Sequence, residues 1–166
     1  MIYKRLNNEI TNLQLIQSEN VVRLYDLKQS KKHFYFICEF CSGCSFDGYL
    51  RRKGRLTEPE AMKFFKDILK GFKELHAKGI VHRDLKPANL LMTDYFLKIA
   101  DLGLSKAANT NYEMFESIVG TPMYMSPQLF EGKYTSKTDI WSLGLILYEM
   151  LYGTIPWKVK NLQEYR

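Results

Sequence analysis

Residues 82–89 read HRDLKPAN, which places the acidic side chain of Asp84 between two basic ones, Arg83 and Lys86. The octapeptide lies in the segment 80–100, where short apolar runs alternate with polar turns. Such alternation indicates loops, and functional residues concentrate on loops that a rigid scaffold holds in place. We therefore expect the chemistry of this protein to reside in this segment.

Three further motifs follow the octapeptide. They are DLG at 101–103, GTPMYMSPQ at 120–128 and DIWSLG at 139–144. In this order and at this spacing, the four motifs resemble the HRDLxxxN catalytic loop, the DFG triplet, the GTPxYMAPE end of the activation segment and the DxWSxG helix start of eukaryotic protein kinases. The resemblance covers essentially the whole chain, which is identified as a member of the serine/threonine protein kinase family. Leu102 and Gln128 depart from the usual Phe and Glu.

The spacing of apolar residues predicts the helices and strands. Apolar residues recur every three to four positions over 3–16, which predicts a helix that carries Glu9. Two runs rich in β-branched and aromatic residues, at 21–27 and 33–40, predict a β-hairpin. Further helices are predicted at 45–52, 57–79 and 135–151. The last is apolar on nearly every side, which is typical of a helix at the centre of a fold.

The helix predicted at 57–79 has clear local signals. Thr57 and Glu60 form a candidate capping box at its start. An apolar stripe predicts the face that packs on the core, and its members are Met62, Phe65, Ile68, Leu69, Phe72 and Leu75.

The resemblance implies an α+β fold of the protein-kinase type. Residues 1–40 would be part of the small lobe, with helix C and two strands, residues 41–44 the hinge, and residues 45–166 a mostly helical large lobe that lacks its last helices. Kinases also need a glycine-rich loop over the phosphates and a strand lysine that pairs with the helix C glutamate. Neither is found in the 166 residues, so we expect a partial kinase domain that binds ATP poorly by itself.

The resemblance also implies a role for each catalytic residue. Asp84 corresponds to the carboxylate that orients the substrate hydroxyl and accepts its proton, whereas an isolated Asp more often caps a turn. Lys86 corresponds to the lysine that contacts the γ-phosphate, and its presence favours Ser/Thr over Tyr substrates. Asn89 and Asp101 correspond to the oxygen ligands of Mg²⁺, which suit that ion. The implied cofactors are therefore ATP and Mg²⁺.

A nucleotide pocket is implied in the same way. Glu9 corresponds to the helix C glutamate, Cys38 to the gatekeeper behind the adenine, and Leu91 to the floor beneath the ring. The main chain from Glu39 to Cys41 corresponds to the hinge that hydrogen-bonds the adenine edge. A stack that marks the assembled active state is also implied, and its members are Leu13, Leu24, His82, Leu102 and Asp139.

Regulation by phosphorylation is implied by Arg83, which directly precedes the catalytic carboxylate. A guanidinium can hold a phosphate through paired hydrogen bonds. Ser117 lies four residues before Thr121, where related kinases often carry the phosphorylated residue, and Thr110 and Tyr112 are weaker candidates. The resemblance thus implies an upstream activating kinase as a partner.

The composition fits one globular domain, since 46% of the 166 residues are hydrophobic. The net charge of +6 would suit nucleic acid, acidic membrane or phosphopeptides, but the basic runs are short and typical of solvated faces. Cys38, Cys41 and Cys44 resemble part of an iron–sulfur ligand run, but a fourth Cys is absent, so buried reduced thiols are favoured. No secretory signal is visible, and the apolar stretch from Ile140 to Leu151 is shorter than the ~20 residues of a membrane span.

These observations predict a cytoplasmic enzyme that transfers phosphate from ATP to Ser/Thr hydroxyls of protein substrates, with no nucleic acid and no membrane span. The alternative is a catalytically inactive kinase-like scaffold or binding module. The missing strand lysine favours that alternative, and the intact catalytic and metal-binding residues oppose it. Within the family, residues 124–127 and the position of Ser117 resemble the kinases that initiate autophagy, although calcium/calmodulin-type and cell-cycle kinases share much of this pattern.

Overall fold

The computed structural model describes residues 14, 16–31, 33–94, 96–108, 110 and 113–157. In this part of the chain the predicted mixed α+β fold is confirmed. Glu9, Leu13, Tyr112 and most of the helix predicted at 3–16 lie outside the described residues.

A β-hairpin precedes the helical part of the chain. Strand β1 (Leu24–Gln29) pairs antiparallel with β2 (Phe34–Cys38), so the predicted hairpin is confirmed. β1 begins three residues later than predicted, because Val21 and Val22 pair with Ile99 on a strand outside the hairpin. The segment that leads into β1 is therefore bonded to the part of the chain that carries the octapeptide.

The three cysteines near the end of the hairpin are free thiols. Cys38 and Cys44 are exposed and Cys41 is half-buried. The prediction that these thiols are buried is therefore wrong for Cys38 and Cys44. Within the described part of the chain, β2 pairs along only one edge, with β1, and all five of its side chains are exposed.

Helix α1 (Phe46–Lys53) follows the hairpin and confirms the helix predicted at 45–52. Its N-cap is Ser45, whose hydroxyl accepts a hydrogen bond from Gly48 N–H at 3.3 Å. The helix ends at Gly54, whose φ of 83° lies in a region that side chains with a Cβ rarely adopt. Gly54 N–H donates to Leu50 O at 2.7 Å, which satisfies one of the last carbonyls of the helix.

Helix α2 (Glu58–Ala77) begins at the predicted N-cap, Thr57. The N–H and the hydroxyl of Thr57 both donate to Glu60 Oε2 at 2.9 Å, so the predicted pairing of these two residues is confirmed. Four of the six predicted stripe residues are buried or half-buried. Met62 and Leu69 are exposed, so the stripe prediction is wrong for them.

The buried face of α2 differs from the predicted stripe because it includes two small residues. Ala61 and Gly71 are buried where Met62 and Leu69 are not. A Cβ on Gly71 would lie 2.4 Å from Asn20 O, so the absent side chain lets the backbone of another segment approach the helix. Close backbone approach explains why glycine occupies position 71.

Two short sheets frame the octapeptide. Strand β3 (Ile80–Val81) ends directly before it, and β4 (Leu90–Met92) begins directly after it. β4 pairs antiparallel with β5 (Leu97–Ile99), and β3 pairs antiparallel with β6 (Lys106–Ala107). Residues 82–89 therefore form a loop whose two ends are both fixed in strands.

Helix α4 (Thr138–Tyr152) follows the single turn of α3 (Pro127–Phe130) and begins three residues later than predicted. Half of α4 is buried, including Asp139. The prediction of a helix at the centre of the fold is confirmed for the face that carries Leu143, Ile146 and Met150. It is wrong for the face with Ile140 and Trp141, which are exposed. Trp157 stacks on Trp141, with the two ring centroids 6.0 Å apart, and covers part of that face.

The core lies between α1, α2, α4 and the β4–β5 sheet. Its fully buried members from these elements and the octapeptide include Phe46, Ile68, Leu75, Leu85, Leu90, Leu97, Ile99, Ile146 and Met150. A second cluster lies under the segment 113–134 and consists of Val81, Phe115, Met125, Leu129 and Tyr134. Over the residues described, no helix combines the length and the apolar character needed to cross a membrane.

Candidate active site

A buried carboxylate on α4 fixes the start of the octapeptide. Asp139 Oδ2 accepts a hydrogen bond from His82 N–H at 2.7 Å, and Oδ1 accepts one from Arg83 N–H at 2.8 Å. Arg83 has a φ of 69°, which is unfavourable for a residue with a Cβ and requires such support. The His82 imidazole Nε2 lies 3.0 Å from Ala100 O. The loop is thus tied both to the central helix and to the residue after β5.

Asp84 is the centre of a hydrogen-bond network that joins two distant segments. Its Oδ2 lies 2.7 Å from Lys86 Nζ, and its Oδ1 accepts hydrogen bonds from the N–H and the hydroxyl of Thr121, each at 2.7 Å. Lys86 Nζ also donates to Thr121 Oγ1. Asp84 is 7% exposed, so these contacts are largely shielded from water.

The pKa of Asp84 lies below its usual value. Burial alone would raise the pKa, but hydrogen bonds from Lys86 and Thr121 and the positive charge of Lys86 outweigh burial. Asp84 is therefore ionised at neutral pH. A carboxylate of lowered pKa is a weak base, so its main chemical capacity is to accept a hydrogen bond and to orient the donor.

Asn89 adds a carboxamide to the same network. Its Nδ2 donates to Asp84 O at 2.9 Å and to Asp84 Oδ2 at 3.0 Å. The backbone of Asn89 accepts a hydrogen bond from Ala100 N–H at 2.9 Å, which places Asn89 beside the residue that precedes Asp101. Among the described residues nothing donates to the carboxamide oxygen of Asn89. That oxygen is available to a ligand.

Asp101 lies at the edge of a cavity of about 250 Å³. It has a left-handed backbone, with φ of 58°, and its Oδ1 accepts a hydrogen bond from Gly103 N–H at 3.4 Å. The other residues that line the cavity are Val22, Leu24, Phe36, Cys38, Leu102 and Gly103. One cavity therefore brings together residues of three predicted roles. They are the gatekeeper Cys38, the stack residues Leu24 and Leu102, and the metal ligand Asp101.

The donor set of the candidate site fits a hard divalent cation that also binds phosphate. Asn89 and Asp101 supply one amide oxygen and one carboxylate, and Mg²⁺ prefers a few such protein oxygens together with phosphate and water. No cluster of three or more His, Cys, Asp or Glu side chains that could hold a metal occurs in the residues described.

The predicted hinge lies against β4. Gly43 N–H donates to Met92 O and Met92 N–H donates to Cys44 O, both at 3.0 Å. A Cβ on Gly43 would lie 2.4 Å from Met92 O, so this contact requires glycine. Leu91, the predicted floor residue, is the middle residue of β4. The structure therefore brings the hinge segment and the floor strand side by side.

Glu39 has a side-chain partner that the sequence did not indicate. Its Oε1 lies 2.6 Å from Lys98 Nζ, and its Oε2 accepts a hydrogen bond from Arg23 N–H at 3.2 Å. Burial would raise the pKa of Glu39, but these contacts lower it below its usual value. Burial raises the pKa of the neighbouring thiols of Cys38 and Cys41.

Arg83 points away from Asp84 and reaches the predicted phosphorylation segment. Its Nη1 donates to Ser117 Oγ at 2.9 Å and to Tyr134 OH at 3.3 Å. Tyr134 OH donates to Ser117 O at 2.9 Å. Ser117 is exposed, so its hydroxyl is accessible while it lies next to a guanidinium. Thr110 is exposed as well, but no described contact joins it to Arg83.

Three side-chain contacts at or near the site were not predicted from the sequence. Tyr134 contacts Arg83 from 51 positions away, and Lys98 pairs with Glu39. Tyr124 OH donates to Glu149 Oε2 at 2.7 Å, just beyond Thr121. None of these pairs follows a helical or strand period, so the sequence pattern carried no signal for them.

Comparison with known proteins agrees with the four sequence motifs. The family model of the protein kinase domain matches residues 1–166. Serine/threonine-protein kinase atg1 of Dictyostelium discoideum is 42% identical over 158 residues, which cover 90% of this chain and 24% of that protein. CBL-interacting serine/threonine-protein kinase 24 of Arabidopsis thaliana is 37% identical over 161 residues, which cover 95% of this chain and 36% of that protein.

The chain thus spans about a quarter to a third of the length of these two curated relatives. The match to the family model extends over all 166 residues, and each of the four motifs falls within it. On these findings, the chain belongs to the protein kinase domain family.

Proposed function

We propose that the protein that contains this chain phosphorylates Ser and Thr hydroxyls of protein substrates with ATP. The observation that carries the proposal is the set of contacts around Asp84, whose carboxylate is joined to Lys86, Asn89 and Thr121 within 3.0 Å. Phosphoryl transfer requires mainly positioning and neutralisation of charge, and a carboxylate, an ammonium and an amide held together supply both.

Asp84 is proposed to orient the attacking hydroxyl. Its carboxylate is ionised at neutral pH because its pKa is lowered, and it is held in place by Thr121 on one oxygen. A Ser or Thr hydroxyl that donates to this carboxylate keeps a lone pair free for attack on phosphorus. The proton then moves to Asp84 late in the transfer. A weak base accepts it only after the hydroxyl oxygen has donated electron density to phosphorus and its proton has become more acidic.

Lys86, Asn89 and Asp101 are proposed to bind the phosphate end of the nucleotide. The carboxamide oxygen of Asn89 and the carboxylate of Asp101 would hold Mg²⁺, which neutralises phosphate charge when it is bound with ATP. Lys86 carries a positive charge beside Asp84 and would contact the transferred phosphoryl group. The same Lys favours Ser/Thr over Tyr acceptors by the family resemblance.

The adenine is proposed to bind between the hinge and β4. Cys38 lines the inner cavity, the main chain from Glu39 to Cys41 would bind the adenine edge, and Leu91 would lie beneath the ring. In this proposal residues 1–40 belong to the small lobe, with Glu9 on its helix, and residues 41–44 form the hinge. The 166 residues carry no glycine-rich loop or strand lysine, so we expect the chain alone to bind Mg-ATP weakly.

Ser117 is proposed as the regulatory phosphorylation site. A phosphate on its Oγ would lie within reach of the Arg83 guanidinium, which already donates to that oxygen. Since Thr121 lies four residues further on and contacts Asp84, ordering of Ser117 would be transmitted to the catalytic carboxylate. An upstream kinase is the partner that this proposal requires.

Transfer of labelled phosphate to a Ser/Thr peptide library tests the main proposal. The full-length natural protein should label peptides in the presence of Mg-ATP, and Asp84→Asn should lower kcat by about 100-fold or more, because general-base positioning contributes that much. Asp94→Asn is the matched control, since Asp94 is exposed and its described side-chain contact is a long hydrogen bond from Ser42 at 3.4 Å. Unlabelled peptides, or equal kcat in the two variants, would favour a non-catalytic binding module.

A further inference from the structure

The ion pair between Lys98 and Glu39 is unusual among the ion pairs of the described residues. Lys98 is a residue of β5 with a side chain only 8% exposed, and its Nζ lies 2.6 Å from Glu39 Oε1. The lysines that pair at Lys28, Lys53 and Lys70 have side chains that are 45 to 69% exposed. The Lys86 side chain is 21% exposed, so Lys98 is the most buried lysine in the described ion pairs, and its ammonium is largely shielded from water.

Burial of this charge needs a reason beyond stability. Removal of an ammonium from water is unfavourable, and a buried ion pair is often no more stabilising than apolar residues of similar volume. What a buried pair does provide is a fixed geometry, because neither partner can leave the other without a large penalty. The position of the pair in the fold then indicates what it fixes.

Both partners lie next to the proposed nucleotide pocket. Glu39 directly follows Cys38 and is the first of the residues whose main chain is proposed to bind adenine, while Lys98 lies opposite Leu91 in the β4–β5 ladder. Lys98 is also three residues before Asp101 in the sequence. The ion pair therefore connects the segment proposed to bind adenine with the strand that leads to the proposed metal ligand.

A second set of contacts runs beside the pair. Asn20 is buried, its Nδ2 donates to Leu97 O at 2.9 Å, and its own carbonyl accepts from Ile99 N–H at 2.9 Å. Hydrogen bonds thus connect β5 to the segment before β1. Within the residues described, the Lys98–Glu39 ion pair is the one ion pair that connects β5 to the residue after β2. Backbone hydrogen bonds also hold residues 43 and 44 against β4, and the ion pair adds a direct side-chain link from Glu39 to β5.

We propose that Lys98 and Glu39 are positioning residues, whose ion pair holds the hinge main chain in register with Leu91 and Asp101 so that the nucleotide is bound at both ends. The inference rests on the proposed function, because it assigns to the pair a role in nucleotide binding. It predicts that loss of the pair weakens ATP binding more than it slows the transfer step. Neither residue touches the reacting atoms in this proposal.

The key variant is the double substitution Lys98→Met with Glu39→Gln in the full-length natural protein. Glu39→Gln alone leaves a buried ammonium without its counter-charge, which destabilises the fold by itself. The double variant removes both charges together and keeps similar side-chain volumes, so most stability should return while the restraint stays absent. Lys28→Met is the matched control, because it breaks an exposed pair with Asp26 at 2.7 Å in the same hairpin.

Steady-state kinetics give the first measurement. The double variant should raise KM for ATP by about fivefold or more while kcat falls by less than about twofold, since the restraint acts on binding geometry. Lys28→Met should leave both constants at their wild-type values. If the double variant keeps the wild-type KM for ATP and the wild-type kcat, the pair has a merely structural role. If KM stays unchanged and kcat rises, the pair is a restraint that opposes activity. Either result overturns the proposal.

Alkylation of Cys41 by iodoacetamide gives a second measurement that does not depend on activity. Cys41 is half-buried two residues after Glu39, and exposed Cys44 serves as the internal reference. The double variant should alkylate Cys41 at least about threefold faster relative to Cys44, because the hinge opens locally more often. An unchanged ratio would overturn the proposal. A wild-type protein without phosphoryl transfer would contradict the proposed function, and the alkylation ratio would then still decide whether the pair restrains the hinge.

Discussion

Thr121 donates two hydrogen bonds to one oxygen of Asp84, from its N–H and from its hydroxyl, each at 2.7 Å. These residues are 37 positions apart, and the bonds connect the segment that carries Ser117 to the proposed catalytic carboxylate. A displacement of that segment would remove two donors from Asp84 at once. The orientation of the carboxylate therefore depends on where this segment lies.

Thr121→Val should lower kcat by about 10- to 100-fold, because it removes one positioned donor and keeps the side-chain shape. Thr121→Ser should restore most of the activity, since it restores the hydroxyl. The measurement is kcat of the full-length protein on a Ser/Thr peptide. Equal rates for Thr121→Val and wild type would show that the hydroxyl does not position Asp84.

Lys86→Met should change the pH dependence of stability in a defined direction. The folded-state pKa of Asp84 is lowered, so its ionised form stabilises the fold above the unfolded-state pKa, and this contribution is lost as pH falls through the folded-state pKa. Without Lys86, its hydrogen bond and its positive charge no longer lower the pKa of Asp84, so the pKa rises. Urea unfolding should therefore show a larger difference between the two proteins near about pH 6 than near about pH 2.5. A difference that is constant with pH would contradict the assignment.

Glu60 allows a second prediction of how stability depends on pH, at a position away from the proposed catalytic residues. Hydrogen bonds from the N–H and the hydroxyl of Thr57, and the nearby Lys53, lower the pKa of Glu60 to about 2. Its contribution to stability should be complete above its usual pKa of 4.5 and should disappear as pH falls toward about 2. Thr57→Ala removes the hydroxyl donor but keeps the N–H donor, so it should flatten part of the acid slope in that window, as followed by urea unfolding. An unaltered slope would show that the Thr57 hydroxyl does not lower the pKa of Glu60.

Gly120→Ala should lower both stability and activity. Gly120 has a φ of 109°, and a Cβ there would lie 2.4 Å from Arg83 O. The change should cost about 2 kcal/mol or more and should move Thr121 away from Asp84. Gly144→Ala is the matched control, because no atom lies within 4 Å of a Cβ built at that position in α4, and it should be neutral or stabilising by up to about 1 kcal/mol. Thermal unfolding and kcat check both variants.

Ser117→Ala should lower kcat of the activated protein severalfold or more, because it removes the proposed phosphate beside Arg83. Thr110→Ala is the comparison, since Thr110 has no described contact with Arg83. Mass spectrometry should find phosphate on Ser117 of the wild type. Full activity of Ser117→Ala, with no phosphate at Ser117 in the wild type, would remove the proposal.

Local patterns in the sequence predicted most of the fold. The hairpin, the capped helix α2 and the central helix α4 all follow from apolar spacing and end signals, which act over a few residues. The errors have tertiary causes. Met62 and Leu69 are exposed because α2 meets its neighbours through small residues, and Val21 leaves the hairpin because it pairs with Ile99. Periodicity does not contain this information.

The candidate site was predictable only in its motif residues. Asp84, Asn89 and Asp101 belong to short motifs that the sequence displays directly. The pair of Lys98 with Glu39 and the contact of Tyr134 with Arg83 join residues 59 and 51 positions apart. Such pairs follow from how the chain packs, so they become visible only in the folded structure.

The left-handed backbone of Arg83 has a consequence for how the octapeptide acquires its shape. The conformation is unfavourable in isolation and is supported by Asp139, a buried carboxylate 56 residues further along the chain. A synthetic peptide of residues 80–91 would therefore remain disordered and would bind neither magnesium nor nucleotide. The octapeptide can take up this shape only when α4 lies against it and supplies Asp139.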